Sequence, residues 1–160
     1  MRKARPGLLL AIVFVVLVCD QWSKALALSA LSPVYQRPVI EGFFSLTLVM
    51  NSGVAFGLFS RLDLACKAWF LLGFSALTVL GVLYYYFFEP NLDLVARWGL
   101  ALVVGGAVGN MIDRWRFQKV VDFLDFYVGS YHWPAFNVAD AAISVGVGLL
   151  LCFILRQGRG

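Results

Sequence analysis

Four stretches of this chain are each about 20 residues long and almost wholly apolar, the length a helix needs to cross the hydrocarbon core of a bilayer. They run from about Gly7 to Leu28, Leu64 to Phe88, Leu94 to Asp113 and Phe136 to Leu155. Hydrophobic residues make up 61% of the 160 residues and the mean hydropathy is +0.83, whereas soluble domains hold roughly 45–50% apolar residues. The expected fold is an all-α polytopic membrane protein. No linker-like, repetitive or low-complexity tract divides it, so residues 1–160 are expected to form a single domain.

The basic start M-R-K-A-R-P, followed by an apolar run, also has the form of a cleaved leader. No A-x-A site follows and Val18 before Cys19 is bulky, so the segment is expected to remain as the first helix. Pro90 and Asn91 mark a short turn between the second and third segments. Residues 29–63 hold Pro33, Pro38, Gly42 and the run F-F-S-L-T-L-V-M, which predicts a small strand element rather than a linker between the first two helices. Lys and Arg divide almost evenly between the two sides. The cluster Arg2, Lys3 and Arg5 at the first helix, with Arg156 and Arg159 after the last, sets both termini in the cytoplasm.

In that topology the polar residues of the apolar segments gather in the outer leaflet. Helical spacing pairs Asp20 with Lys24, Asn110 with Asp113 and Arg114, and Asn137 with Asp140. Ionisable groups at membrane depth are costly unless they pair or do chemistry. Gly105, Gly106 and Gly109 on the third helix allow a neighbouring backbone to approach closely.

Composition excludes several functions. The net charge of +4 is spread thinly, without the basic clusters and interleaved aromatics of a nucleic-acid surface. Cys19, Cys66 and Cys152 form no disulfide framework and are expected as buried small hydrophobes. The single histidine, His132, lies in the loop Y-H-W-P and is expected to anchor at the membrane interface. With one His and no Cys pair, neither a metal site nor a Ser-His or Cys-His nucleophile is expected, and no cofactor. Carboxylates and amides are what remain.

Two aspartates held close together cannot both ionise, so they share a proton and offer an acid and a base together. Such a pair hydrolyses a peptide bond with water alone. Asp122, in the expected outer loop, and Asp140, one turn into the fourth helix, are the natural pair; Asp125, Asp113 and Asp20 are the other carboxylates nearby. Two noncatalytic readings stand beside this one: a scaffold pinned by ion pairs, and a small transporter subunit lined by the same groups.

Four blocks then carry a resemblance: D-Q-W-S-K at 20–24, N-S-G-V-A-F-G at 51–57, G-G-A-V-G-N-M-I-D-R with V-V-D-F between 105 and 123, and F-N-V-A-D-A-A-I at 136–143. In order and together they resemble the bacterial lipoprotein signal peptidases, the signal peptidase II family. The resemblance implies an aspartic endopeptidase of the bacterial inner membrane that cuts diacylglyceryl-modified prolipoproteins just before the lipidated cysteine. It makes Asp122 and Asp140 the catalytic pair and leaves Asp125 outside the motif as a loop residue. By the same resemblance Asn51, Asn110, Arg114 and Asn137 hold substrate and aspartates, and Asp20, Lys24 and Asp113 fix the helices. Gly53 and Gly105 complete the supporting set. Residues 29–63 become a cradle and an amphipathic segment on the membrane. Further implications are membrane lipids as surroundings, a monomeric protein, and inhibition by globomycin-type compounds at a site near the outer face.

Overall fold

The computed structural model describes residues 5–53 and 63–157. Four helices are long and apolar enough to span a membrane: α1 (Pro6–Ala30), α2 (Leu64–Phe88), α3 (Leu94–Phe117) and α4 (Val138–Gln157). Their starts are written into the sequence. Pro6 occupies the first turn of α1, where its missing N–H costs nothing. Asp63 and Asp93 cap α2 and α3 by accepting the amides of Cys66 at 2.7 Å and Ala96 at 2.8 Å. The third helix runs one turn past its expected end at Asp113 and stops at Gln118, whose φ of 57° is the left-handed conformation that closes a helix.

Helix α3 is the centre of the bundle and touches all three others. Helices in lipid gain nothing from hiding apolar surface from water, so they associate through close packing of small residues. Gly105 lies against Val13 and Val16 of α1, Gly106 against the carbonyl of Ala139 on α4, and Gly99 against that of Gly146. Large apolar side chains such as Phe14, Phe74, Leu77 and Leu151 point outward instead. Cys19, Cys66 and Cys152 are exposed as well, contrary to their expected burial. An apolar run does not distinguish a helix face turned to protein from one turned to lipid.

The buried stripe of α1 shows how the bundle changes character along its length. Leu9, Ile12 and Val16 join the apolar core with Tyr86, Leu100 and Phe153, and the same stripe continues as Asp20 and Lys24. Among the described residues the other end also buries a charge, Arg97, whose guanidinium donates to the Tyr86 carbonyl at 3.3 Å and lies over the Tyr86 ring.

The cradle is larger than the sequence suggested. Strands β1 (Arg37–Ile40) and β2 (Phe44–Asn51) lie between α1 and α2 as expected, but β3 (Val120–Val128) and β4 (Tyr131–His132) come from the connection between α3 and α4. All four form one antiparallel arrangement in the order β1-β2-β3-β4. Asp122 and Asp125 therefore stand on a strand, not in a loop, and both are buried. The end of the N-S-G-V-A-F-G block, and residues 54–62 of the stretch 29–63 expected to hold the cradle and an amphipathic segment, lie outside the described residues.

Candidate functional site

The site begins with the capping of α4. Asn137 precedes the helix; its Oδ1 accepts the amide of Asp140 at 2.9 Å, and its own amide donates to Asp140 Oδ2 at 3.3 Å. This reciprocal capping box orients Asp140 from its first turn. The Asn137 Nδ2 also donates to Asp122 Oδ1 at 2.7 Å, so one fully buried side chain bridges the two aspartates.

Each carboxylate has a second donor. Asn110 Nδ2 reaches Asp140 Oδ1 at 2.7 Å, and Asn51 Nδ2 reaches Asp122 Oδ2 at 2.8 Å. Asn51 is itself held by the amide of Gly53, which donates to its Oδ1 at 2.8 Å. Gly53 adopts φ +75°, a conformation glycine takes without strain, which explains its place in the block. Arg114 Nη1 donates to the Asn110 carbonyl at 3.4 Å. Asn110, Arg114 and Asp140, with Phe74, Ser75 and Thr78 of α2, line a cavity of about 280 Å³.

Behind the pair lies a buried charge cluster. Lys24 Nζ stands 2.9 Å from both Asp20 Oδ2 and Asp113 Oδ2, and 3.1 Å from Asn110 Oδ1. The two carboxylates each anchor a main-chain amide. Asp20 Oδ1 accepts from Ala139 at 2.9 Å and Asp113 Oδ2 from Val121 at 3.1 Å, the residues immediately before Asp140 and Asp122. Gln21, which the sequence did not single out, donates to Asp20 Oδ2 and Asp113 Oδ1, both at 3.1 Å. Gly109 allows this by leaving room for the Asp20 carboxylate.

Asp122 is 1% exposed. Burial pushes its carboxyl up to about 6; the Asn51 amide opposes the rise, the charge of Asp140 adds to it, and Asn137 and Lys24 pull it back. A carboxyl so placed carries a proton far closer to neutrality than a free one does. Among the described residues no group of His, Cys, Asp and Glu could hold a metal ion.

The expected set thus lies in this cluster except for Gly105, which packs against Val13 and Val16 of α1. The structure corrects Asp125 and adds a contact for His132. Asp125 is 3% exposed and carries its own partners, Ser45, Gln36 and His132. His132, expected as an interfacial anchor, has its Nδ1 2.9 Å from Asp125 Oδ2.

A bundle of four helices long and apolar enough to span a bilayer, with polar groups converging on two bridged carboxylates, defines an integral membrane protein. Residues 12–156 match the family described as Signal peptidase (SPase) II. The lipoprotein signal peptidase of Desulforapulum autotrophicum is 46% identical over 141 residues, covering 88% of this chain and 87% of the relative. That of Syntrophotalea carbinolica is 42% identical over 158 residues, covering 99% and 97%. A solved bacterial membrane enzyme superposes with a TM-score of 0.86 at 27% identity, over 98% of this chain and 93% of that one. The chain belongs to the signal peptidase II family and is a membrane peptidase of lipoprotein processing.

Proposed function

We propose that this protein removes signal peptides from diacylglyceryl-modified prolipoproteins, cutting just before the lipidated cysteine with water activated by Asp122 and Asp140. The observation that carries the aspartic mechanism is the single Asn137 side chain and amide that bridge the two carboxylates. The ionised member of the pair takes a proton from water as its oxygen attacks the scissile carbonyl carbon. The protonated member gives its proton to the carbonyl oxygen. Collapse of the tetrahedral intermediate breaks the C–N bond, and the amine leaves with a proton returned from the pair. A proton shared between two close carboxyls belongs to neither alone, so the roles are those of the pair.

Supporting roles follow from contacts. Asn51, Asn110 and Asn137 aim the carboxylates, and Arg114 faces the cavity where a substrate backbone would lie. A signal peptide enters sideways from the bilayer, and its cleavage region unwinds to expose the carbonyl. The reading includes both termini in the cytoplasm, the site near the outer face of the inner membrane, action as a monomer in one domain, and inhibition by globomycin.

The gathering of carboxylates at one end of the bundle favours a site over a transport path, which needs polar groups through the depth of the membrane. The test is cleavage of a diacylglyceryl-modified prolipoprotein by the purified protein in detergent, with and without chelator and globomycin. Cleavage before the lipidated cysteine, indifferent to chelator and stopped by globomycin, is the expected result. No cleavage, or cleavage abolished by chelator, contradicts the proposal.

A further inference from the structure

The mechanism leaves one buried carboxylate unused. Asp125 is sealed from water, yet its hydrogen bonds go to Ser45, Gln36 and His132, none of which bonds Asp122 or Asp140. Alternation along β3 puts Asp125 on the face opposite Asp122. Its partners come from three places: Gln36 just before β1, Ser45 on β2, and His132 on β4.

We propose that Asp125, gripped by Ser45, Gln36 and His132, is a positioning residue that locks β2 on β3 in the register that delivers Asn51 to Asp122. This inference rests on Asp122 being a reacting carboxylate. The pairing of β2 with β3 is irregular between the two contacts. From Leu46 to Val49, β2 advances three residues, while β3 advances two, from Leu124 to Asp122. The extra residue on β2 is a bulge, and losing it, a slip of one residue in register, turns every side chain beyond it to the other face.

Main-chain hydrogen bonds do not distinguish these registers, because each backbone offers the same groups. Side chains must. Ser45 and Asp125 are direct partners on one side of the bulge, with Ser45 Oγ donating to Asp125 Oδ2 at 3.1 Å. Asn51 and Asp122 form the contact on the other side. A slip at Ser45 would leave a buried carboxylate short of a donor, so the register held at Asp125 is the one in which Asn51 meets its target. Gln36 and His132 supply donors at 3.3 and 2.9 Å that keep the charge satisfied, and Tyr127 stacks on the His132 ring.

The test is the pH dependence of prolipoprotein cleavage for wild type, Asp125→Asn, Ser45→Ala, Asn51→Ala and Asp122→Asn, with melting temperatures for each. Asp125→Asn and Ser45→Ala should lower kcat about 10- to 100-fold, the scale of a misplaced reacting group, with KM little changed. The alkaline limb of kcat/KM should move to higher pH, as in Asn51→Ala, since a lost Asn51 donor leaves Asp122 holding its proton longer. Removing the Asp125 charge without disturbing Asn51 would move the limb the other way. A lowered melting temperature with the limb at its wild-type pH makes Asp125 merely structural and overturns the proposal. If Asp125→Asn does not fold, Ser45→Ala, which deletes a single hydroxyl, decides by the same limb. Cleavage by Asp122→Asn would remove the reading on which the inference stands, whereas an inactive Asp122→Asn beside an unmoved limb sinks the inference alone.

Discussion

Asp113 accepts the main-chain amide of Val121 at 3.1 Å, so the last turn of α3 fixes the residue immediately before Asp122. Val121 is fully buried, so its amide is out of reach of bulk solvent. Asp113→Ala should therefore lower stability by about 1–3 kcal/mol for the orphaned amide, with a further loss from Lys24. Thermal melting in detergent measures the first effect. Cleavage rates at a temperature where the variant remains folded should still be reduced, because β3 is no longer tied to α3.

Lys24 neutralises two carboxylates at once. Lys24→Met should cost about 3–5 kcal/mol, since it strands buried negative charge. Adding Asp20→Asn to that variant should recover part of the loss. A double-mutant cycle on melting free energies gives the coupling, and strictly additive effects would contradict the cluster as described.

Small residues place α3 against α4. A side chain at Gly106 would run into the carbonyl of Ala139, one residue from Asp140. Gly106→Val should cost about 1–3 kcal/mol by overpacking. It should also reduce kcat by moving Asn110 away from Asp140. The equivalent change at Gly148, where nothing lies near, should do neither. Melting and cleavage of the two variants side by side check this.

The four spanning helices were legible because length and continuous apolarity suffice for them, and α2 falls where hydropathy put it. The Asn137–Asp140 pairing was legible too, since residues three apart share a helix face, but the capping box that the two form was not read. The strand carrying Asp122 was not legible. Both faces of β3 are covered, so Val120, Val121, Asp122, Phe123 and Asp125 are all buried and the alternation that marks a half-exposed strand is missing. Gln21, Ser45 and Gln36 were missed for a related reason. Short polar residues at a membrane edge look the same in sequence whether they meet water or a buried carboxylate.

The raised pKa of Asp122 sets two dependences on pH. In the proposed mechanism the form with one shared proton is the active one, and it is lost as pH rises through about 6, so kcat/KM should fall across that value in the free enzyme. Bound substrate excludes water and favours the neutral carboxyl further, so the fall in kcat should lie at higher pH. Stability has its own sign. Between the ordinary 3.8 and about 6 the folded protein keeps a proton that the unfolded chain has released, so this group's contribution declines as pH rises through that window. Asp122→Asn removes that decline. Its melting temperature relative to wild type should rise between pH 4 and pH 7, even though one acceptor for Asn51 or Asn137 is lost.

The most direct test of the account is cleavage of a diacylglyceryl-modified prolipoprotein by Asp122→Asn and Asp140→Asn beside wild type, with melting temperatures recorded on the same preparations. Both variants should be folded and slower by about 10²- to 10⁴-fold or more, as expected for loss of an acid–base group. A folded variant of either aspartate that cleaves at the wild-type rate would contradict the pair as the reacting groups.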